Sequence, residues 1–144
     1  MEGVTVKENE VGALVEDWLD QIGAKRLSYW DAKVLDYNAR MYPDLIAKPK
    51  FSRRILKNLV AIEVKGSKFN MSSLIGQLLL YSLCFSRVYV AIPSEREPLL
   101  RKLRSEIKGK IKGFDFGIIS VTKNGKVRIL PQEEERHPRY GRVF

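Results

Sequence analysis

At 144 residues and 44% hydrophobic side chains, the chain has material for one core and too little for two ordinary ones. Its 26 lysines and arginines outnumber 17 aspartates and glutamates, a formal charge of +9, so the surface should attract a polyanion, with nucleic acid as the first expectation. A single cysteine, Cys84, and a single histidine, His137, exclude a disulfide framework and a Cys/His zinc cluster and point to a reducing, intracellular compartment.

The opening Met1-Glu2-Gly3-Val4 is neither basic nor followed by an apolar run, so no signal peptide is expected. No stretch is long enough to span a bilayer, and no basic amphipathic helix of the membrane-surface kind is visible. Val11, Leu14, Val15, Trp18, Leu19 and Ile22 keep helical spacing, and Gly23 follows as a stop. A strand is expected over 25–30, then an aromatic-rich stretch through Tyr37 and Met41 to Pro43-Asp44. Asp44 should open a strand. Pro49 and the basic residues Lys48, Lys50, Arg53, Arg54 and Lys57 form a connection to an apolar strand over 59–65, and the two strands are expected to pair as a hairpin.

Beyond Gly66-Ser67-Lys68, Ser72 and Ser73 are expected N-caps for an apolar helix over 74–85, in which Cys84 reads as a buried structural thiol. A buried strand over 87–92 ends at Pro93, and a helix over 98–108 has Pro98 in its first turn. Runs 116–122 and 126–130 flank Lys123-Asn124-Gly125, a strong hairpin signal. The charged stretch 131–144, which holds His137, is expected to be a tail.

The chemistry sits in the second and third strands. On a strand, side chains alternate faces, so Glu63 and Lys65 share one side while Val64 takes the other. Together with Asp44 they offer two carboxylates and an ammonium to one divalent ion, and Mg2+ takes one or two protein carboxylates while leaving room for phosphate oxygens. The same acid-x-lysine pattern recurs at Asp31-Ala32-Lys33 and Glu106-Ile107-Lys108. The latter lies on a helix, where residues two apart point nearly opposite ways. The former lacks a preceding Pro-Asp and an apolar strand.

Pro43-Asp44, Glu63-Val64-Lys65, and Gln77 with Tyr81 four residues later on one helix face are, in that order, what makes the chain resemble the PD-(D/E)xK nuclease superfamily. The Gln-x-x-x-Tyr pair is similar to that of its RecB-like branch. The likeness covers roughly the first two thirds of the chain. It implies an α/β restriction-endonuclease-like sandwich over 1–130, with a central mixed sheet flanked by helices. It also implies a deoxyribonuclease dependent on Mg2+, with Mn2+ as a substitute, and no nucleotide cofactor. Asp44, Glu63 and the Val64 carbonyl would bind the metal, and Lys65 and Gln77 would join the catalytic set. A glutamate of the first helix would complete it, where Glu8, Glu10 and Glu16 compete and Glu10 is favoured. Lys48, Lys50, Arg53, Arg54, Lys57, Lys68 and Tyr81 are the expected nucleic-acid contacts.

Each residue has a plainer reading. Asp44 suits a turn, Glu63 an edge-strand ion pair, Gln77 a solvated helix edge and Tyr81 a core aromatic. An ion on an otherwise apolar strand is costly without a role. The small size suits an enzyme that selects DNA by structure, such as a junction, a nick or an end, or one that forms a homodimer. A non-catalytic nucleic-acid-binding module and an assembly subunit are the alternatives. The role of Lys65, as base or as charge stabiliser, stays open at this point.

Overall fold

A computed structural model describes residues 5–27, 43–48, 60–83, 85 and 87–132. Six strands form one mixed sheet in sequence order. They are β1 (Lys25–Leu27), β2 (Leu45–Lys48), β3 (Val60–Val64), β4 (Arg87–Pro93), β5 (Gly117–Val121) and β6 (Val127–Leu130). The flanks β1–β2–β3 and β5–β6 are antiparallel, whereas β3–β4–β5 are parallel. The parallel connections carry helices α2 (Met71–Ser82) and α3 (Glu97–Lys110), while α1 (Glu8–Gln21) precedes the sheet.

Strand alternation sorts the core into two layers. Ala61, Val88, Val90, Ile92 and Ile118 pack with Leu74, Leu78, Leu100 and Ile107 of α2 and α3. Ile62, Val64, Ala91, Ile119 and Val121 pack with Val11, Val15 and Leu19 of α1. Helices therefore cover both faces, which is what parallel central strands need in order to bury both sides. Among the described residues, no helix is long and apolar enough to cross a membrane.

Helix α1 ends as Gly23 predicts. Gly23 adopts φ 75°, and Gly23 N and Ala24 N donate to Asp20 O (3.1 Å) and Leu19 O (2.9 Å), the paired bonds of a Schellman stop. Helix α2 begins three residues before its predicted start. Asn70, not Ser72 or Ser73, is its cap, with Oδ1 accepting from Ser73 N at 2.9 Å. The predicted hairpin is β5–β6, turned at Gly125 with φ 84°.

Glu97, Pro98 and Lys110 fall inside α3, which is longer at both ends than expected. The structure describes the first strand only to Leu27. Tyr37, Met41, Lys50, Arg53, Arg54, Lys57, Cys84, His137 and the tail 133–144 lie outside the described residues.

Candidate metal centre

Because β2 and β3 are antiparallel, the start of β2 and the end of β3 lie at the same end of the sheet, bringing Asp44 beside Glu63 and Val64. Leu45 pairs with Ile62, so the same register carried two residues on puts Pro43 opposite Val64. Proline has no N–H to offer the Val64 carbonyl. The Val64 amide is taken by the Asp44 side chain instead, with N donating to Oδ2 at 2.7 Å. A strand residue's N–H and C=O leave by the same edge, so the Val64 carbonyl points to the side of Asp44, where the resemblance expects a metal ligand.

Glu63 is 3% exposed and lies on the α2 side of the sheet, with Ala61. Its Oε1 accepts from the Tyr81 hydroxyl at 2.7 Å, and its Oε2 is 3.2 Å from Lys65 Nζ. Burial pushes the Glu63 carboxyl up to about 7; the Tyr81 hydrogen bond opposes the rise and the nearby Asp44 charge adds to it. Burial and the Glu63 charge raise the Tyr81 hydroxyl as well. The side chain therefore sits protonated, as a hydrogen-bond donor to Glu63.

The helix-one acid that reaches this place is Glu8. One oxygen each of Glu8, Asp44 and Glu63 lie within 4.8 Å of one another. Oxygens sharing an ion at about 2.1 Å are separated by roughly 3 to 4 Å, so a small inward adjustment closes the set. The favoured Glu10 is elsewhere. Two residues along a helix is about 200° of rotation, and Glu10 lines a separate cavity with Pro93, Glu95 and Thr122. Glu16, two turns on from Glu8, lines the same cleft as Glu8 and Asp44 but is engaged by Arg26 at 3.4 Å.

Glu8 is held by contacts the sequence did not announce. No side chain caps α1 at Lys7. Instead the chain before it lies on the turn after β3: Ser67 N donates to Val6 O and Val6 N to Ser67 Oγ, both at 2.8 Å. The Ser67 hydroxyl donates in turn to Glu95, and Arg96 Nε donates to Ser67 O at 2.7 Å. Gly66 makes this approach feasible, because a Cβ there would stand 2.6 Å from Val6 O and 2.7 Å from Glu8 N.

Gln77 lies one turn before Tyr81, and its Oε1 is a buried acceptor with no partner among the described residues. Tyr81 itself is 5% exposed and bonded to Glu63, so it supports the carboxylate and has no face for nucleic acid. Lys68 is exposed on the turn after β3. Lys48 closes β2 at the end remote from Asp44, opposite Lys25, and Val60 opens β3 at that same end. Compared with protein-family models, curated proteins and solved structures, the chain matches none.

Proposed function

We propose that the chain is a metal-dependent nuclease with a restriction-endonuclease-like arrangement, hydrolysing DNA phosphodiester bonds at the Glu8–Asp44–Glu63 centre. The observation that carries this reading is convergence. Three carboxylates from α1, the entry to β2 and β3 gather within 4.8 Å, with an ammonium 3.2 Å from one of them. Acids so placed repel one another, and a divalent cation is the natural counter-charge. All-oxygen donors suit Mg2+ or Mn2+ over softer metals. First-turn acids also favour the α1 dipole, but that does not account for Asp44 and buried Glu63 meeting there.

When bound, the cation supplies Lewis acidity toward phosphate oxygens and acidifies nearby water. Asp44 is oriented by the Val64 amide and Glu63 by the Tyr81 hydroxyl, so both carboxylates are positioned before any ion arrives. Lys65 Nζ brings donors to the place where negative charge accumulates on phosphorus oxygens. Gln77 Oε1, a buried acceptor one turn before Tyr81, has no partner among the described residues and is free to accept from a water.

The test is cleavage of linear, circular, branched and single-stranded DNA with and without Mg2+ or Mn2+. Glu63→Gln and Lys65→Ala should each lower the rate by at least about a hundredfold, the scale of losing one charge-stabilising group, while circular dichroism stays native. Undiminished cleavage by either variant excludes this centre. Tight DNA binding without cleavage of any substrate assigns the chain to the binding-module alternative.

A further inference from the structure

A helix that buries one face against a sheet normally turns charge to water on the other. Helix α1 does so with Glu10, Asp17 and Asp20, and α3 with Arg101, Lys102, Glu106 and Lys110, all exposed. Helix α2 does not. In a chain of which 30% is charged, the longest uncharged run is 69–86, and it contains the whole of α2. The inner face of that helix is accounted for by Leu74, Leu78 and Tyr81, which enter the core.

The outer face carries Ser73, Gly76, Leu80 and Leu83. Their spacing of three, four and three keeps them within about 80° of one another around the helix axis. Ser73 and Leu80 are exposed, Leu80 by 50%, and neither Leu80 nor Leu83 packs on either core layer. A Cβ at Gly76 would meet nothing within 4 Å. At 12 residues, the helix is too short to cross a bilayer.

We propose that this face is the contact with a second copy of the chain, two α2 helices crossing antiparallel about a twofold axis. Two features select a copy of the same chain. The first is order along the helix: Ser73 and Gly76 occupy its first half, Leu80 and Leu83 its second. A twofold axis level with Leu78 sets Gly76 of each copy opposite Leu80 of the other, and Ser73 opposite Leu83. Each leucine then enters the hollow left by a residue with little or no side chain, the self-matching that a twofold contact requires.

The second feature is charge. Two copies of a chain with formal charge +9 repel one another. A twofold contact through α1 would set acid against acid, whereas α2 brings no charge to the meeting. Tyr81 meets Glu63 from the core side of α2, so the contact stands whether or not the acidic centre holds a metal.

The experiment is sedimentation equilibrium of the full chain over about 1 to 100 µM, suited to a contact at the small end of interface sizes, with circular dichroism of each variant. The parent should pass from monomer to dimer across that range. Leu80→Glu should weaken association by at least about a hundredfold, the scale of an unmatched charge in a contact. Gly76→Leu fills the hollow but favours the helix, so it should give monomer while raising the thermal midpoint, which separates loss of contact from loss of fold. G76K/L80E sets each glutamate against the other copy's lysine in the antiparallel register and should regain dimer that Leu80→Glu lacks.

Dimer undiminished in Leu80→Glu, or not regained in G76K/L80E, overturns the proposal. A parent that stays monomeric throughout overturns it as well, and Leu80-dependent sedimentation with phosphatidylcholine vesicles would then assign the face to a lipid surface.

Discussion

At the scale of one residue, Glu63 concentrates the energetic tension of the molecule. Its carboxyl moves from 4.5 to about 7 because burial strips water from the charged form and the Asp44 charge adds to the rise, against the opposing Tyr81 hydrogen bond. The folded chain thus binds more protons than the unfolded one between those values. Stability is full below about 4.5 and falls as pH rises toward 7, by roughly 3 kcal/mol in all. Urea unfolding of metal-free protein across this range should show the decline, and Glu63→Gln should flatten it. Saturating Mg2+ or Mn2+ binds the ionised native form and should offset the loss. A slope unaffected by Glu63→Gln would assign the titration elsewhere.

At the scale of elements, the position of Glu8 depends on how α1 meets the turn after β3. Ser67 joins Val6 to Glu95, and a Cβ at Gly66 would collide with Val6 O and Glu8 N. Ser67→Ala should therefore weaken Mn2+ binding by about tenfold, the scale of mutating a residue that orients a metal ligand. In the Glu8→Gln background the same change should add little, because the two act on one ligand. Additive losses would mean that Ser67 acts on the fold rather than through Glu8. Asn70→Ala is the internal contrast: loss of the α2 cap costs about 1 kcal/mol of stability and should leave metal affinity alone. Calorimetry for the ion and thermal unfolding for the fold read these apart.

At the scale of the whole molecule, the two residues after β6, Pro131 and Gln132, are anchored to α3 and the sheet beside a buried ionic cluster remote from the metal centre. Asp115, whose side chain is 0% exposed, accepts from Arg104 Nε at 3.1 Å and Phe116 N at 2.9 Å, with Lys108 Nζ at 3.9 Å. Arg104 also donates to Pro131 O at 2.6 Å, and Gln132 Oε1 accepts from Val88 N at 2.7 Å. Asp115→Ala removes the carboxylate that neutralises the buried Arg104 guanidinium and should cost about 3 kcal/mol in urea unfolding. A smaller loss would show that the cluster is wetter than its burial implies.

Much of this was legible in the residues because period and punctuation are local. Alternation alone puts Glu63 and Lys65 on one side of a strand, Gly23 ends α1, and Asn124-Gly125 turns the last hairpin. Pro43 and Asp44 likewise carry their meaning into the structure, where the missing N–H and the side-chain acceptor both act on Val64. The choice among Glu8, Glu10 and Glu16 was not local. It depends on the rotation at which α1 docks, and that rotation is set by Gly66, Ser67 and Glu95, residues distant in sequence. The location of the positive charge was tertiary for the same reason: sequence order places Lys48 between the two acidic motifs, whereas an antiparallel register sends it to the far end of β2. The amino-acid sequence by itself determined the elements, their two-sided apolar patterning and which acids could share a strand face. Only the folded chain decided which acids meet and which lysines stand beside them, since those depend on contacts between segments far apart along the backbone.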